Sequence, residues 1–110
     1  MTVRPLRVAL YAGATCAAIA VAVTSAWADP DDGERLARRW CATCHVVAAD
    51  QQRASADAPP FAAITRMPGF SVEKLAFFLL EPHPKMPSMG LSRREAADLA
   101  DYIAKLGQGR

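Results

Sequence analysis

The sequence predicts an all-α domain in which three main helices are joined by long loops. Two segments, at about 30–44 and 92–107, place apolar residues three and four positions apart, and a shorter one follows residue 71. The stretches between them are rich in proline, glycine and small polar residues, which favour loops. From Asp29 onwards, no stretch alternates between apolar and polar residues for long enough to be a strand.

The segment from Met1 to Ala28 has the pattern of a secretory signal peptide. It begins with two arginines and no acid, continues without a charge, and ends in Ala26-Trp27-Ala28. This pattern predicts cleavage after Ala28 and a mature domain of residues 29–110. An uncleaved membrane anchor is the alternative, because the uncharged run is just long enough to span a bilayer.

The charge of the predicted mature domain is balanced. The whole chain has 13 lysines and arginines against 11 acids, and the two arginines of the first segment account for the difference. A domain without a basic excess is not expected to bind nucleic acid. The two cysteines that remain after cleavage do not make a disulfide scaffold, so a chain this short is expected to need a metal or large cofactor.

The first helix is predicted over residues 30–44. Asp29 suits the N-cap, and Pro30 suits the first turn, where a backbone N–H is not needed. One apolar face then runs along the segment. Its members are Gly33, Leu36, Ala37, Trp40 and Cys41.

Loops and short elements fill the middle of the chain. Residues 46–60 lack a clear period and are predicted as a loop that ends at two prolines. Residues 61–64 are predicted as a short helical turn, and residues 72–80 as a helix that begins after Ser71. Residues 83–91 hold two prolines and a glycine and are predicted as an extended loop.

The last helix is the best marked of the three. Ser92 and Glu95 form a capping box, in which the side chain of each accepts a hydrogen bond from the backbone of the other. Gly107 is predicted to end the helix. The face predicted to be buried consists of Ala96, Leu99, Ala100, Ile103 and Leu106.

Five consecutive residues carry the strongest chemical signal: Cys41-Ala42-Thr43-Cys44-His45. Two thiols three positions apart emerge on one side of a helical turn, where each can add to one vinyl group of a haem. The histidine that follows then lies under the iron, and its imidazole can bind it. The pattern therefore predicts one covalently attached haem c, with His45 as an axial ligand.

Three other interpretations of the cysteines are less favoured. A disulfide between Cys41 and Cys44 would close too short a loop to stabilise the fold much. A thioredoxin-like dithiol is expected after a strand, and no strand is predicted. Structural zinc would need four ligands, which Cys41, Cys44, His45 and His83 could supply.

A haem iron needs a donor at its second axial position. His83, Met86 and Met89 lie in the proline-rich loop before the last helix, and Met67 is a more distant candidate. A methionine thioether favours the ferrous state and raises the reduction potential, whereas a second imidazole is an equally acceptable ligand. Local spacing does not choose between these residues.

These features resemble the class I cytochrome c family over nearly the whole predicted mature domain. The attachment motif agrees, and Gly33 and Ala37 precede Cys41 by eight and four positions, as the helix-contact positions of that family do. The remaining matches are the segments Ala58-Pro59-Pro60-Phe61, Met86-Pro87 and Leu99-Ala100-Asp101-Tyr102-Ile103. The resemblance implies a cytochrome c-like fold wrapped around one haem.

The resemblance also implies which residue is the sixth ligand of the iron. Met86 precedes Tyr102 by sixteen positions, which matches the position of the family's ligand methionine, whereas Met89 precedes it by thirteen. Met86 is therefore the expected ligand. Met89 is then expected to be a loop residue near the haem, and His83 a non-ligand.

Further roles follow from the same resemblance. The Pro59 carbonyl is expected to accept a hydrogen bond from the free ring nitrogen of His45, which is the support that a ligating histidine generally has. Phe61, together with Leu75 or Phe78, is expected to cover the porphyrin with apolar surface.

The expected function is electron transfer in the periplasm. A six-coordinate iron has no open site for a substrate, so the protein is expected to be a carrier and not an enzyme. Redox partner proteins are expected to bind through small transient contacts, and the membrane is a partner only if the first segment is retained. The alternatives are an electron-transfer subunit of a dehydrogenase or oxidase, and a five-coordinate haem protein that binds small ligands or peroxide.

Overall fold

The computed structural model describes residues 27–55, 57–81 and 84–109. Within these ranges the chain forms helices, turns and loops and no strand, which confirms the all-α fold. None of the described helices is long and apolar enough to cross a membrane. The segment predicted as a signal peptide lies, up to residue 26, outside the described residues. The helices are α1 (Pro30–Leu36), which continues directly into a π-helical turn (Ala37–Cys41), α2 (Phe61–Ile64), α3 (Val72–Leu80) and α4 (Arg93–Gln108).

The first helix starts as predicted and changes its form before the attachment motif. The Asp29 side chain accepts a hydrogen bond from the N–H of Asp31 at 2.9 Å and so caps α1. From Ala37 the backbone widens into a π-helix, and the N–H of Ala42 bonds to the carbonyl of Ala37. The helix then ends at Cys41, earlier than predicted, because the rest of the motif forms a turn.

Helix α4 confirms the capping box but not the predicted end. Ser92 Oγ accepts a hydrogen bond from the N–H of Glu95 at 3.2 Å, and the Glu95 carboxylate accepts one from the N–H of Ser92 at 2.8 Å. The helix runs through Gly107 and ends at Gln108. A Cβ at Gly107 would overlap the side chain of Thr65, so this glycine permits close contact with the turn after α2.

The core lies where the first helix crosses α4. Gly33 permits the crossing, since a Cβ there would overlap the carbonyl oxygen of Asp98. Tyr102 donates a hydrogen bond from its hydroxyl to the carbonyl of Val47 at 2.6 Å, and burial raises the pKa of this phenol. The buried apolar residues are Ala37, Val47, Ala48, Phe61, Ala96, Leu99, Ala100, Tyr102 and Ile103, with Leu106 half-buried beside them.

Candidate functional site

The attachment motif forms a single turn at the end of the first helix. The N–H groups of Cys44 and His45 both bond to the carbonyl of Cys41, at 3.1 and 2.9 Å. Cys41 is half-buried, Cys44 is exposed, and neither thiol is in a disulfide. Burial, and to a smaller extent the nearby Cys44, raises the pKa of the Cys41 thiol to about 11. The turn therefore holds two free thiols and a histidine within one short stretch of backbone.

His45 has one ring nitrogen fixed by the backbone. Its Nδ1 lies 2.7 Å from the carbonyl oxygen of Pro59. Because a carbonyl only accepts, Nδ1 carries the proton and donates the hydrogen bond. In the neutral ring, Nε2 is then the nitrogen whose lone pair can bind a metal. The fold thus brings together two residues 14 positions apart, in the contact that the resemblance implies.

Phe61, the first residue of α2, packs beside the ring of His45. Its side chain is buried, and its ring centroid lies 5.2 Å from that of His45, with the two planes tilted by 51°. Its backbone N–H donates to the carbonyl of Val46 at 3.0 Å, so the start of α2 is held against the end of the attachment motif. His45, Pro59 and Phe61 therefore form one cluster.

Sequence reasoning missed Gln51, whose side-chain amide holds the loop after the motif. Its Oε1 accepts a hydrogen bond from the N–H of Val47 at 2.9 Å. Its Nε2 lies within hydrogen-bond distance of three carbonyl oxygens, those of Ala42, His45 and Arg53, at 2.8, 2.8 and 2.9 Å. Nothing nearby in the sequence indicates this role, since a glutamine in a polar loop is ordinarily a surface residue.

The candidate sixth ligands are distributed over two loops. Met86 and Met89 are half-buried in the loop between α3 and α4. Met67 is 48% exposed in the turn after α2. His83 lies outside the described residues. Burial therefore favours the two methionines of the α3–α4 loop over Met67.

The described residues contain no ligand cluster that would support the zinc interpretation of the motif. Among those residues, no three histidine, cysteine, aspartate or glutamate side chains are grouped so that they could hold a metal ion. His83, the fourth ligand that zinc would require, is outside them.

The domain has apolar side chains outside its buried core, and these suit a porphyrin ring, which needs apolar cover in water. Helix α3 has no fully buried residue although most of its residues are apolar, and Phe77 and Phe78 on it are 64% and 50% exposed. Further partly buried side chains pack against the core: Leu36, Cys41, Ala42, Ile64, Leu75, Leu79, Leu91 and Leu106. Two free thiols, an imidazole of fixed tautomer and this apolar surface fit a covalently attached haem.

Comparison with known proteins also indicates a haem protein. The sequence profile described as cytochrome c oxidase, cbb3-type, subunit III matches residues 28–103. Cytochrome c-552 of Bradyrhizobium diazoefficiens is 57% identical over 100 residues, a match that covers 88% of this chain and 96% of that protein. No solved structure matches the chain. The chain therefore belongs to the cytochrome c family, as a small class I c-type cytochrome that carries covalently bound haem c and transfers electrons.

Proposed function

We propose that this cytochrome is a periplasmic electron carrier with one haem, attached through Cys41 and Cys44 and bound axially by His45 and Met86. The observation that carries the proposal is the 2.7 Å contact between His45 Nδ1 and the carbonyl oxygen of Pro59. This hydrogen bond selects the tautomer that binds iron through Nε2 and restricts rotation of the ring. An imidazole held in this way can remain a ligand in both oxidation states, with little rearrangement as the electron moves.

Met86 is proposed as the sixth ligand because of its position in the chain and its partial burial. It precedes Tyr102 by sixteen positions, and the hydroxyl of that tyrosine fixes α4 to the loop after the attachment motif. Proline follows Met86 directly and limits the conformations of the loop. A thioether is a soft ligand that stabilises ferrous iron and raises the reduction potential. If His45 and Met86 both held the iron, no position on it would remain open to a substrate.

Export is proposed from the segment Met1 to Ala28, whose basic start, uncharged run and Ala26-Trp27-Ala28 ending are typical of a cleaved signal. The fold supports cleavage after Ala28, because Asp29 is the residue that caps α1 and Trp27 is 80% exposed. The proposed partners are redox proteins of the same compartment. The balanced charge of the mature domain favours small transient contacts over strong long-range attraction.

A second candidate is an electron-transfer subunit of an oxidase. It is favoured by the description of the matching family profile, which names subunit III of a cbb3-type cytochrome c oxidase. The match to cytochrome c-552 covers 96% of that protein, whose name does not describe it as an oxidase subunit. Purification of the tagged protein from its native cells distinguishes the two candidates. A carrier is recovered on its own, whereas a subunit is recovered with the oxidase.

The sixth ligand is tested by replacing Met86 with alanine. We expect this variant to lose the far-red absorption band that an Fe(III)–methionine bond gives the oxidised protein. We also expect its reduction potential to fall by on the order of 100 mV, because axial ligands set haem potentials over a range of about 0.8 V. The measurements are the oxidised spectrum and a redox titration.

Met89→Ala is the matched control, since Met89 lies in the same loop and is also half-buried. It should keep both the band and the potential. Loss of the band in this variant and not in Met86→Ala would assign the ligand to Met89. A band that is absent from the unmodified protein would contradict His/Met ligation altogether.

A further inference from the structure

Asp98 is a buried carboxylate that the haem site does not use. The residue lies on α4 and is 3% exposed. Its Oδ1 accepts a hydrogen bond from the backbone N–H of Asp29 at 2.7 Å, and its Oδ2 lies 3.8 Å from Nε of Arg94, whose side chain is 53% exposed. A buried carboxylate is costly unless it is hydrogen-bonded and paired with a positive charge. At 3.8 Å Arg94 is near the limit of an ion pair, and its side chain is largely solvated, so it meets this requirement only weakly.

The proposed cleavage after Ala28 would change the chemistry of the nitrogen that contacts Asp98. Hydrolysis of that peptide bond by one water leaves a carboxylate on Ala28 and an amine on Asp29. An α-amino group ordinarily has a pKa of about 7.7 to 8.0, so the amine is mostly protonated at neutral pH. The neutral N–H donor then becomes an ammonium group. A separation of 2.7 Å lies at the short end for a hydrogen bond between charged groups.

We infer that removal of the signal segment creates an ion pair between the new amino terminus at Asp29 and the buried carboxylate of Asp98, which joins the first helix to the last. The fold fixes both ends of this pair. The Asp29 side chain caps α1 by accepting a hydrogen bond from the N–H of Asp31, which holds its backbone nitrogen in place. Asp98 is held by the close crossing of the two helices at Gly33. The inference rests on the proposed cleavage site.

Other charged groups surround Asp98, but several already have partners. On the first helix Arg35 pairs with Asp32, and the guanidinium of Arg39 lies over an indole ring. On α4 the Glu95 carboxylate is used by its own capping box. The amino terminus would therefore supply the positive charge nearest to Asp98. The titratable and charged groups around the pair are Asp31, Asp32, Arg35 and Arg39 on the first helix, and Arg94, Glu95, Tyr102 and Lys105 on α4.

The inference is tested with four haem-containing proteins. Two begin at Asp29, and two carry a Gly-Ser extension before it. Within each pair, one protein has Asp98 and the other has Asp98→Asn. The asparagine keeps a carbonyl oxygen that can accept the hydrogen bond but removes the charge. Intact mass establishes the first residue of each protein, and denaturant unfolding gives its equilibrium constant.

With Asp98 present, we expect the extension to lower the folding equilibrium constant by roughly tenfold, which is the scale of a charge-assisted hydrogen bond. With Asp98→Asn we expect less than about a twofold change by the same reasoning. Equal effects in the two backgrounds, or no effect in either, would overturn the inference.

A pH series on the two Asp98 proteins tests the pair without any substitution. The Asp98 carboxylate should raise the pKa of the amino terminus in the folded state. The stabilisation by this ion pair is therefore fully present below the ordinary pKa of the amine. It is then lost as the pH rises through the raised pKa. We therefore expect the advantage of the protein that begins at Asp29 to disappear between about pH 8 and pH 10.

An advantage that persists unchanged above that range would also overturn the inference. So would a first residue other than Asp29 in the exported native protein. The haem spectrum of the same samples reports the proposed electron-carrier function separately, because the side-chain bonds of Asp29 and Asp98 in the described residues do not involve the attachment motif.

Discussion

Replacing Cys41 and Cys44 together by alanine is expected to abolish covalent haem attachment. In the proposed attachment each thiol supplies one thioether bond to a haem vinyl group, so a chain without either thiol has no covalent link left. The consequence for the fold should also be large, because four of the nine buried apolar residues in the described core are alanines, which bury little surface. Haem staining of a denaturing gel and the intact mass measure attachment, and circular dichroism measures the helix content.

The control for this variant is Thr43→Ala, which changes an exposed residue between the two cysteines. It should keep one haem per chain and the absorption spectrum of the unmodified protein. Each single cysteine variant keeps one thiol for attachment. Its content of covalent haem should lie between that of the double variant and that of Thr43→Ala. Covalent haem in the double variant would contradict the assignment of the attachment site.

Replacing Gly33 by alanine is expected to have the largest effect of any conservative change away from the haem. The added Cβ would overlap the carbonyl oxygen of Asp98 and lie 2.6 Å from its carbonyl carbon. These are backbone atoms in the middle of α4, so they cannot rotate away, and the two helices must separate. Overpacking of this kind costs typically about 1–3 kcal/mol and more when the backbone must move, so we expect a loss of at least about 3 kcal/mol. Denaturant unfolding of the haem-containing protein measures this loss.

Gly109→Ala is a suitable control for the crossing. A Cβ at Gly109 would lie 3.7 Å from its nearest neighbour, the carbonyl oxygen of Lys105, which is an ordinary contact. We expect this variant to change the free energy of unfolding by no more than about 0.5 kcal/mol, as surface substitutions usually do. A Gly33→Ala protein as stable as this control would show that the first helix does not cross α4 at Gly33.

The sequence predicts those features of the fold that depend on neighbouring residues. The capping box at Ser92 and Glu95 and the N-cap at Asp29 are local hydrogen-bond patterns, so they can be recognised without a structure. Gly107 shows the limit of such reasoning. Its position near the end of an apolar stripe suggests a helix terminus, but it is required inside the helix because Thr65, far away in the chain, packs against it.

In the candidate site, too, the sequence predicts some residues and not others. The two cysteines and His45 form a contiguous motif, whereas the contact between His45 and Pro59 joins residues 14 positions apart and is expected only through the resemblance to a known family. Gln51 and Asp98 are not anticipated at all. Both are polar residues whose importance comes from backbone groups brought to them by the fold, and no local pattern signals that.

The most direct test of the central claim is a redox titration of the protein purified after export, monitored by its absorption spectrum. We predict a single reversible one-electron transition of one covalently bound haem, with the Fe(III)–methionine band present only in the oxidised state. We also predict that carbon monoxide does not bind to the reduced protein, because in the proposed ligation His45 and Met86 leave no free position on the iron. A protein without covalent haem, or a reduced form that binds carbon monoxide readily, would contradict the account.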